Sequence, residues 1–333
     1  MTALIHWVTG NPARAFLAAG LASIVSLFAL PMAAWLPAGV VVLSLLAGGV
    51  VPAAAAALGA AAGLLWVFAP TFGAGPALII AMAVLLPAYL AASVLAATRS
   101  LSFVFQAATI GAGLLVLAIH GLLGDPQGVL MPLIGALEPM LQRAAETLSQ
   151  FGIERSPQEI GAATVHFAWR TLAWMVLLHA MLAQFAGLWA FGKLREPGLF
   201  GREFRQLKLG RVVAWITVAA FATSLGAQLA LGQTWQAADD LVFVLAAAYL
   251  MQALAVVHSL RELQVIGLLP VVLAYIAAVL LPMALVGIGF ADTWVRFRER
   301  FAGRPGGAAP RGPLAASIRQ TTETVKHGSL SSA

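Results

Sequence analysis

Few polar groups lie inside the long apolar stretches of this 333-residue chain, and three of them have the chemistry to hold a ligand. His179 sits near the middle of the stretch 166–191, where an imidazole can hydrogen-bond a substrate, carry a proton or bond to a neighbouring helix. Arg170 stands nine residues earlier, which at about 100° per residue puts it on the opposite helical face, so the two cannot form one site alone. It can pair with Asp239 or Asp240, receive an anionic ligand or snorkel to the interface. Gln252 lies in the stretch 241–257, and Gln106, His120, Gln184 and Gln228 are further uncharged donors and acceptors in or near apolar segments.

None of this amounts to a catalytic set. There is no GxSxG, no HExxH and no phosphate-cradling GxxxxGK, and the six histidines are dispersed. With no cysteine there is no disulfide framework, thiolate metal site or iron–sulfur cluster. The expectation is binding rather than catalysis, with no metal, no cofactor and no catalytic residue.

The elements that must position these groups follow from composition. Hydrophobic residues make up 61% of the chain and charged residues 10%, against about 25% charged in a soluble domain. No Asp, Glu, Lys or Arg occurs in 15–98, room for about four crossings at roughly 20 residues each. The fold class is therefore an all-α polytopic transmembrane bundle over 1–300, of about 8–10 spans, followed by a disordered basic tail over 301–333. A formal charge of +6 marks a cytoplasmic face and its anionic membrane lipids rather than nucleic acid.

Along the chain, Asn11-Pro12 starts a first span near 15–35. The stretch 36–69 reads as two short helices broken at Gly48-Gly49 and Pro52. Within it Gly59 and Gly63 form a small-xxx-small pair suited to close helix packing. Spans at 75–97 and 103–123 follow. The outer amphipathic segment 125–165 carries Asp125, Glu138, Glu146, Glu154 and Glu159 against Arg143 and Arg155, with Leu137, Leu141, Ala144 and Leu148 on its other side. Ser156-Pro157-Gln158-Glu159 is a capping box that opens the helix running into span 166–191.

The basic loop 192–211 comes next, then spans 212–231 and 241–257. Counting Lys and Arg puts the N-terminus, Arg99 and the loop 192–211 in the cytoplasm, and 125–165 and 233–240 outside. The arginine-rich tail breaks this parity if 265–290 is one span. Two shorter helices, broken at Pro270 or Pro282, return it to the cytoplasm.

Three stretches resemble the YybS-like family of bacterial membrane proteins: Gly201-Arg202-Glu203-Phe204-Arg205, Tyr249-Leu250-Met251-Gln252-Ala253, and Gly287-Ile288-Gly289-Phe290-Ala291-Asp292-Thr293-Trp294-Val295-Arg296-Phe297-Arg298. The resemblance covers about residues 15 to 300. It implies a multi-span inner-membrane protein similar in fold to the substrate-binding components of energy-coupling-factor transporters. It further implies a partner, a separate ATPase or another membrane subunit. In the closing motif Asp292, Trp294 and Arg298 have the character of an interfacial anchor. Two functions remain open: a transporter-type component binding a small solute or lipid-like ligand within the bundle, and a membrane scaffold acting through protein contacts.

Overall fold

In a computed structural model the chain is described over residues 2–29, 33–124, 127–232 and 235–302, and among these residues every regular element is a helix. In order they are α1 (Thr2–Thr9), α2 (Pro12–Ala29), α3 (Trp35–Gly48), α4 (Val50–Phe72), α5 (Ala74–Thr98), α6 (Leu101–Leu123) and α7 (Gln127–Gln150). Then come α8 (Pro157–Arg195), α9 (Leu199–Arg205), α10 (Gly210–Leu231), α11 (Gln236–Glu262), α12 (Leu268–Leu280), α13 (Pro282–Val295) and α14 (Phe297–Ala302). Asp125 and the tail beyond Ala302, to which the sequence assigns disorder, lie outside the described residues.

Six of these helices, α4, α5, α6, α8, α10 and α11, are long and apolar enough to cross a bilayer. The stretch read as two short helices divides at Gly49, whose φ of +82° ends α3 and starts α4. Here α4 is longer than expected and runs to Phe72, whereas α2 (18 residues) and α3 (14 residues) are shorter apolar helices. Of the two, α2 packs on α4 and α3, and α3 packs on α8 and α4. The helices long and apolar enough to cross thus number six among the described residues, fewer than the 8–10 spans expected, because α2 and α3 fall short of a full crossing length.

Contacts between helix ends fix the direction of each. At the start of α6 the Leu101 amide donates to Glu203 and Ser102 Oγ donates to the Gln206 carbonyl, so this end lies against the basic loop. At the other end His120 meets Asp240 near the start of α11, and Trp169 of α8 reaches the same carboxylate. The C-terminus of α11 returns to the loop, where Glu262 pairs with Arg205. Ile5 and Val8 of α1 pack among Leu43, Ala190 and Leu194 at that same face. One face thus carries the N-terminus, Arg99 and the loop 192–211, and the other carries α7 and the start of α11.

The parity conflict disappears in α12 and α13. Pro282 cannot donate a backbone hydrogen bond, α12 ends at Leu280, and the two helices meet at 117°. The pair enters just after Glu262, at the loop face. It leaves toward Arg298, which donates to the carbonyls of Arg205 and Leu207 in the loop. Both ends lie on one side, so α12–α13 is a re-entrant hairpin rather than a crossing.

The outer segment divides more sharply than the sequence suggests. The capping box forms, with Ser156 accepting from the Glu159 amide and Glu159 accepting from the Ser156 amide, and it starts a 39-residue helix. At 1.5 Å per residue α8 is about 58 Å long, well beyond the roughly 30 Å hydrocarbon core. Its first turns extend past the level of Asp240, and α7 packs against it with Leu141 buried and Glu138, Gln142 and Glu146 exposed.

Candidate functional site

One group of buried polar residues gathers where the re-entrant hairpin meets the basic loop. Gln252, on α11, is fully buried and joins three elements. Its Oε1 accepts from the Leu209 amide at 2.8 Å, and its Nε2 donates to the Gly289 carbonyl at 2.9 Å. The same Nε2 lies 3.3 Å from Asp292 Oδ2 and 3.4 Å from Thr293 Oγ1. Helices α11 and α13 come this close because residue 289 is glycine: a Cβ there would sit 2.0 Å from the Tyr249 carbonyl oxygen.

Asp292 is 5% exposed and fully engaged. Its Oδ1 accepts from the Phe297 amide at 3.1 Å, and its Oδ2 accepts from Arg298 at 2.6 Å. Two of the expected interfacial residues are therefore structural partners, six positions apart across the turn between α13 and α14. The third, Trp294, packs edge-to-face on Trp215 of α10 and against Phe290.

Above this floor opens a cleft of about 1000 Å³. Arg202, Arg205, Lys208, Arg211, Arg296 and Arg298 line it, against the carboxylates of Asp292 and Glu299, together with Ser100, Ser102, Ser259 and Thr293. The loop that supplies the cations is folded onto the bundle. Phe200 and Phe204 of α9 stack with Phe185 of α8 at 5.7 and 5.3 Å, and Phe204 also meets His258 edge-on.

A second cluster occupies the opposite end of α11, about 18 Å along the axis at 1.5 Å per residue. Asp240 is 2% exposed and accepts from Trp169 Nε1 at 2.8 Å and Arg170 Nε at 3.0 Å, with His120 Nε2 at 2.9 Å. Arg170 also reaches Asp239 at 3.4 Å, and Ser224 donates to Asp239. Arg170 is thus paired with both acids of the 233–240 segment. Every oxygen of Asp240 is thus in use, as burial of a polar group requires.

His179 stands apart from both clusters. Its Nδ1 lies 2.7 Å from the Met175 carbonyl, one turn back in its own helix. His179, Arg170 and Gln252 therefore do not converge: one is mid-bundle, one is near the α7 face and one is at the floor of the cleft. Gly59 and Gly63 lie at the contact of α2 with α4, where a Cβ on Gly59 would sit 2.0 Å from the Phe16 carbonyl and one on Gly63 2.7 Å from that of Gly20. Among the described residues no group of three or more His, Asp or Glu is placed to hold a metal.

Sequence reasoning singled out Gln252, Asp292 and Arg298 but not their union, nor His120 as a partner of Asp240. The partners are 40 and 120 residues apart, and no local spacing announces them. In comparisons with family models, curated proteins and solved structures, nothing matches the chain.

Proposed function

We propose that this chain is a transporter-type component of the bacterial inner membrane that binds a small solute or lipid-like ligand in the cleft over Gln252, with its N-terminus in the cytoplasm. The observation that carries the reading is the cleft itself. Its volume, about 1000 Å³, is at the upper end of the usual range for small-molecule sites, and its floor is a buried polar network on rigid helices. The site lies at the loop face of the bundle rather than at its centre.

The distribution of charge supports the orientation. Arg14, Arg99, Lys193, Arg195, Arg261 and Arg300, with the cations of the cleft, belong to one face, whereas Arg143, Arg155 and Arg170 belong to the other. The likeness to the YybS-like family supports a binding component that works with a separate ATPase or other membrane subunit. The activity in this reading is binding, not catalysis. Purification from native membranes in mild detergent, followed by native mass spectrometry, tests it: a bound small molecule or a stoichiometric subunit is expected, and a bare chain contradicts it.

One observation favours the scaffold as a second reading. At the α7–α8 turn Phe151 is 77% exposed and Ile153 is also exposed, apolar side chains outside the long apolar helices. A scaffold loses its partner when Phe151 becomes Ser and tolerates neutralisation of the cleft; a ligand-binding component does the reverse.

A further inference from the structure

The cleft holds cations that no described residue neutralises. Arg298 is committed to Asp292 and to two loop carbonyls. Arg296 pairs with Glu299, Arg202 with Glu196, and Arg205 with Glu262 at 3.4 Å. Lys208 and Arg211 remain, both exposed, both lining the cleft, and neither with a hydrogen-bond or ion-pair partner among the described residues.

Their backbone, by contrast, is held at almost every position. Ser102 Oγ donates to the Gln206 carbonyl at 2.7 Å, and Arg298 to that of Leu207 at 3.0 Å. Gln106 Nε2 donates to the Lys208 carbonyl at 3.1 Å, and Gln252 accepts from the Leu209 amide at 2.8 Å. Leu207 and Leu209, on either side of Lys208, are fully buried anchors. Side chains from α6, α11 and α14 thus immobilise a short backbone stretch whose charged groups are left facing the cleft. A loop that served only to mark the cytoplasmic side needs no such fixation.

The same stretch ends at the N-terminus of α10, a 22-residue helix with no side-chain cap. The helix begins at Gly210, between Lys208 and Arg211 in the chain and itself lining the cleft, which sets the positive end of its dipole beside the two charges. Point charges beside an uncapped helix start suit a compact oxyanion carrying more than one charge. We infer that the cleft recognises a phosphate-bearing anion, bound between Lys208, Arg211 and the first turn of α10. This rests on the ligand-binding reading above and names the chemical class of the ligand. Two sources share that chemistry: the headgroup of an anionic phospholipid and a free phosphorylated solute. Val212 and Trp215, which follow Arg211 along α10, are exposed and apolar.

The test uses the full chain in detergent, titrated calorimetrically with three probes: inorganic phosphate, dihexanoyl phosphatidate and the uncharged dihexanoylglycerol. The Lys208→Gln/Arg211→Gln variant is titrated beside the wild type; both residues are exposed and without a partner among the described residues, so the change removes no contact seen there. Phosphatidate is expected to bind the wild type and to bind the variant about tenfold or more weakly, the loss of one or two charge-assisted hydrogen bonds. Binding of inorganic phosphate with the same loss assigns the site to free phosphorylated solutes, whereas binding of phosphatidate alone assigns it to a lipid headgroup. Equal affinity of wild type and variant overturns the inference, as does no binding of either phosphate probe. Dihexanoylglycerol binding as tightly as phosphatidate overturns the phosphate class while leaving a ligand in the cleft.

Discussion

The Arg298 guanidinium lies 2.6 Å from the Asp292 carboxylate, and its two terminal nitrogens also reach the carbonyls of Arg205 and Leu207, more than ninety residues earlier in the chain. One side chain thus ties the end of the re-entrant hairpin to the basic loop and closes one wall of the cleft.

Because this pair is mostly buried, removing one partner leaves the other uncompensated. Arg298→Ala is expected to destabilise the protein by about 3 kcal/mol, and Asp292→Ala by a similar amount. The double variant is expected to be more stable than the sum of the two losses predicts, by about 1–3 kcal/mol. Unfolding midpoints of the three variants in one detergent give the coupling, and strict additivity contradicts the tie.

Gln252 donates on one side and accepts on the other, so its two truncations are not equivalent. Gln252→Leu leaves the Leu209 amide and the Gly289 carbonyl unpaired, a loss of about 1–3 kcal/mol. Gln252→Glu keeps an acceptor for Leu209 but sets a second carboxylate beside Asp292, at a position now 3.3 Å from it. Glu is therefore expected to be more damaging than Leu near neutral pH, a reversal of the order expected from size and polarity. Thermal unfolding of both variants decides.

At the opposite face, Asp240 and Asp239 differ in burial and in partners. Asp240→Ala strands three donors, His120, Trp169 and Arg170, and is expected to destabilise by about 3 kcal/mol. Asp239 is 20% exposed and meets Arg170 at 3.4 Å, so Asp239→Ala is expected to lose about 1 kcal/mol. Equal losses in parallel unfolding experiments argue against the network.

The contact of α2 with α4 rests on missing side-chain atoms. Gly59→Ala places a methyl group 2.0 Å from a backbone oxygen, and relief requires the two helices to separate. A loss of about 3 kcal/mol is expected, the upper end for overpacking. Gly226→Ala, with nothing within 4 Å of the added carbon, is the control and is expected to be neutral or slightly stabilising. Comparable unfolding curves for the two rule out the close approach.

These contrasts also explain what could be read in advance. Ser156 and Glu159 announced the start of α8 because a capping box is a local pattern. Pro270 and Pro282 announced a break within 265–290, and it falls at Pro282, whereas Pro270 sits in the first turn of α12 where its missing amide costs nothing. Arg170 with Asp239 and Asp240 was legible from charge, as few ions in an apolar chain have few choices of partner.

Gln252 was visible only as a polar residue in a span. Its role as the join of α10, α11 and α13 depends on chain segments 37 and 43 residues away. His179 looked better placed because it is central, yet its Nδ1 contact is an i−4 carbonyl that any helix offers. The cleft had no signature at all, for it exists only once the hairpin returns to the loop.

The most direct measurement is native mass spectrometry of the protein purified from its own membranes, comparing the wild type with Lys208→Gln/Arg211→Gln and with Asp239→Ala as a control at the opposite face. A cleft that holds a ligand predicts a bound mass in the wild type and the control that is depleted in the double variant, all three remaining folded. A bound mass equally abundant in all three, or absent from all three, contradicts the account.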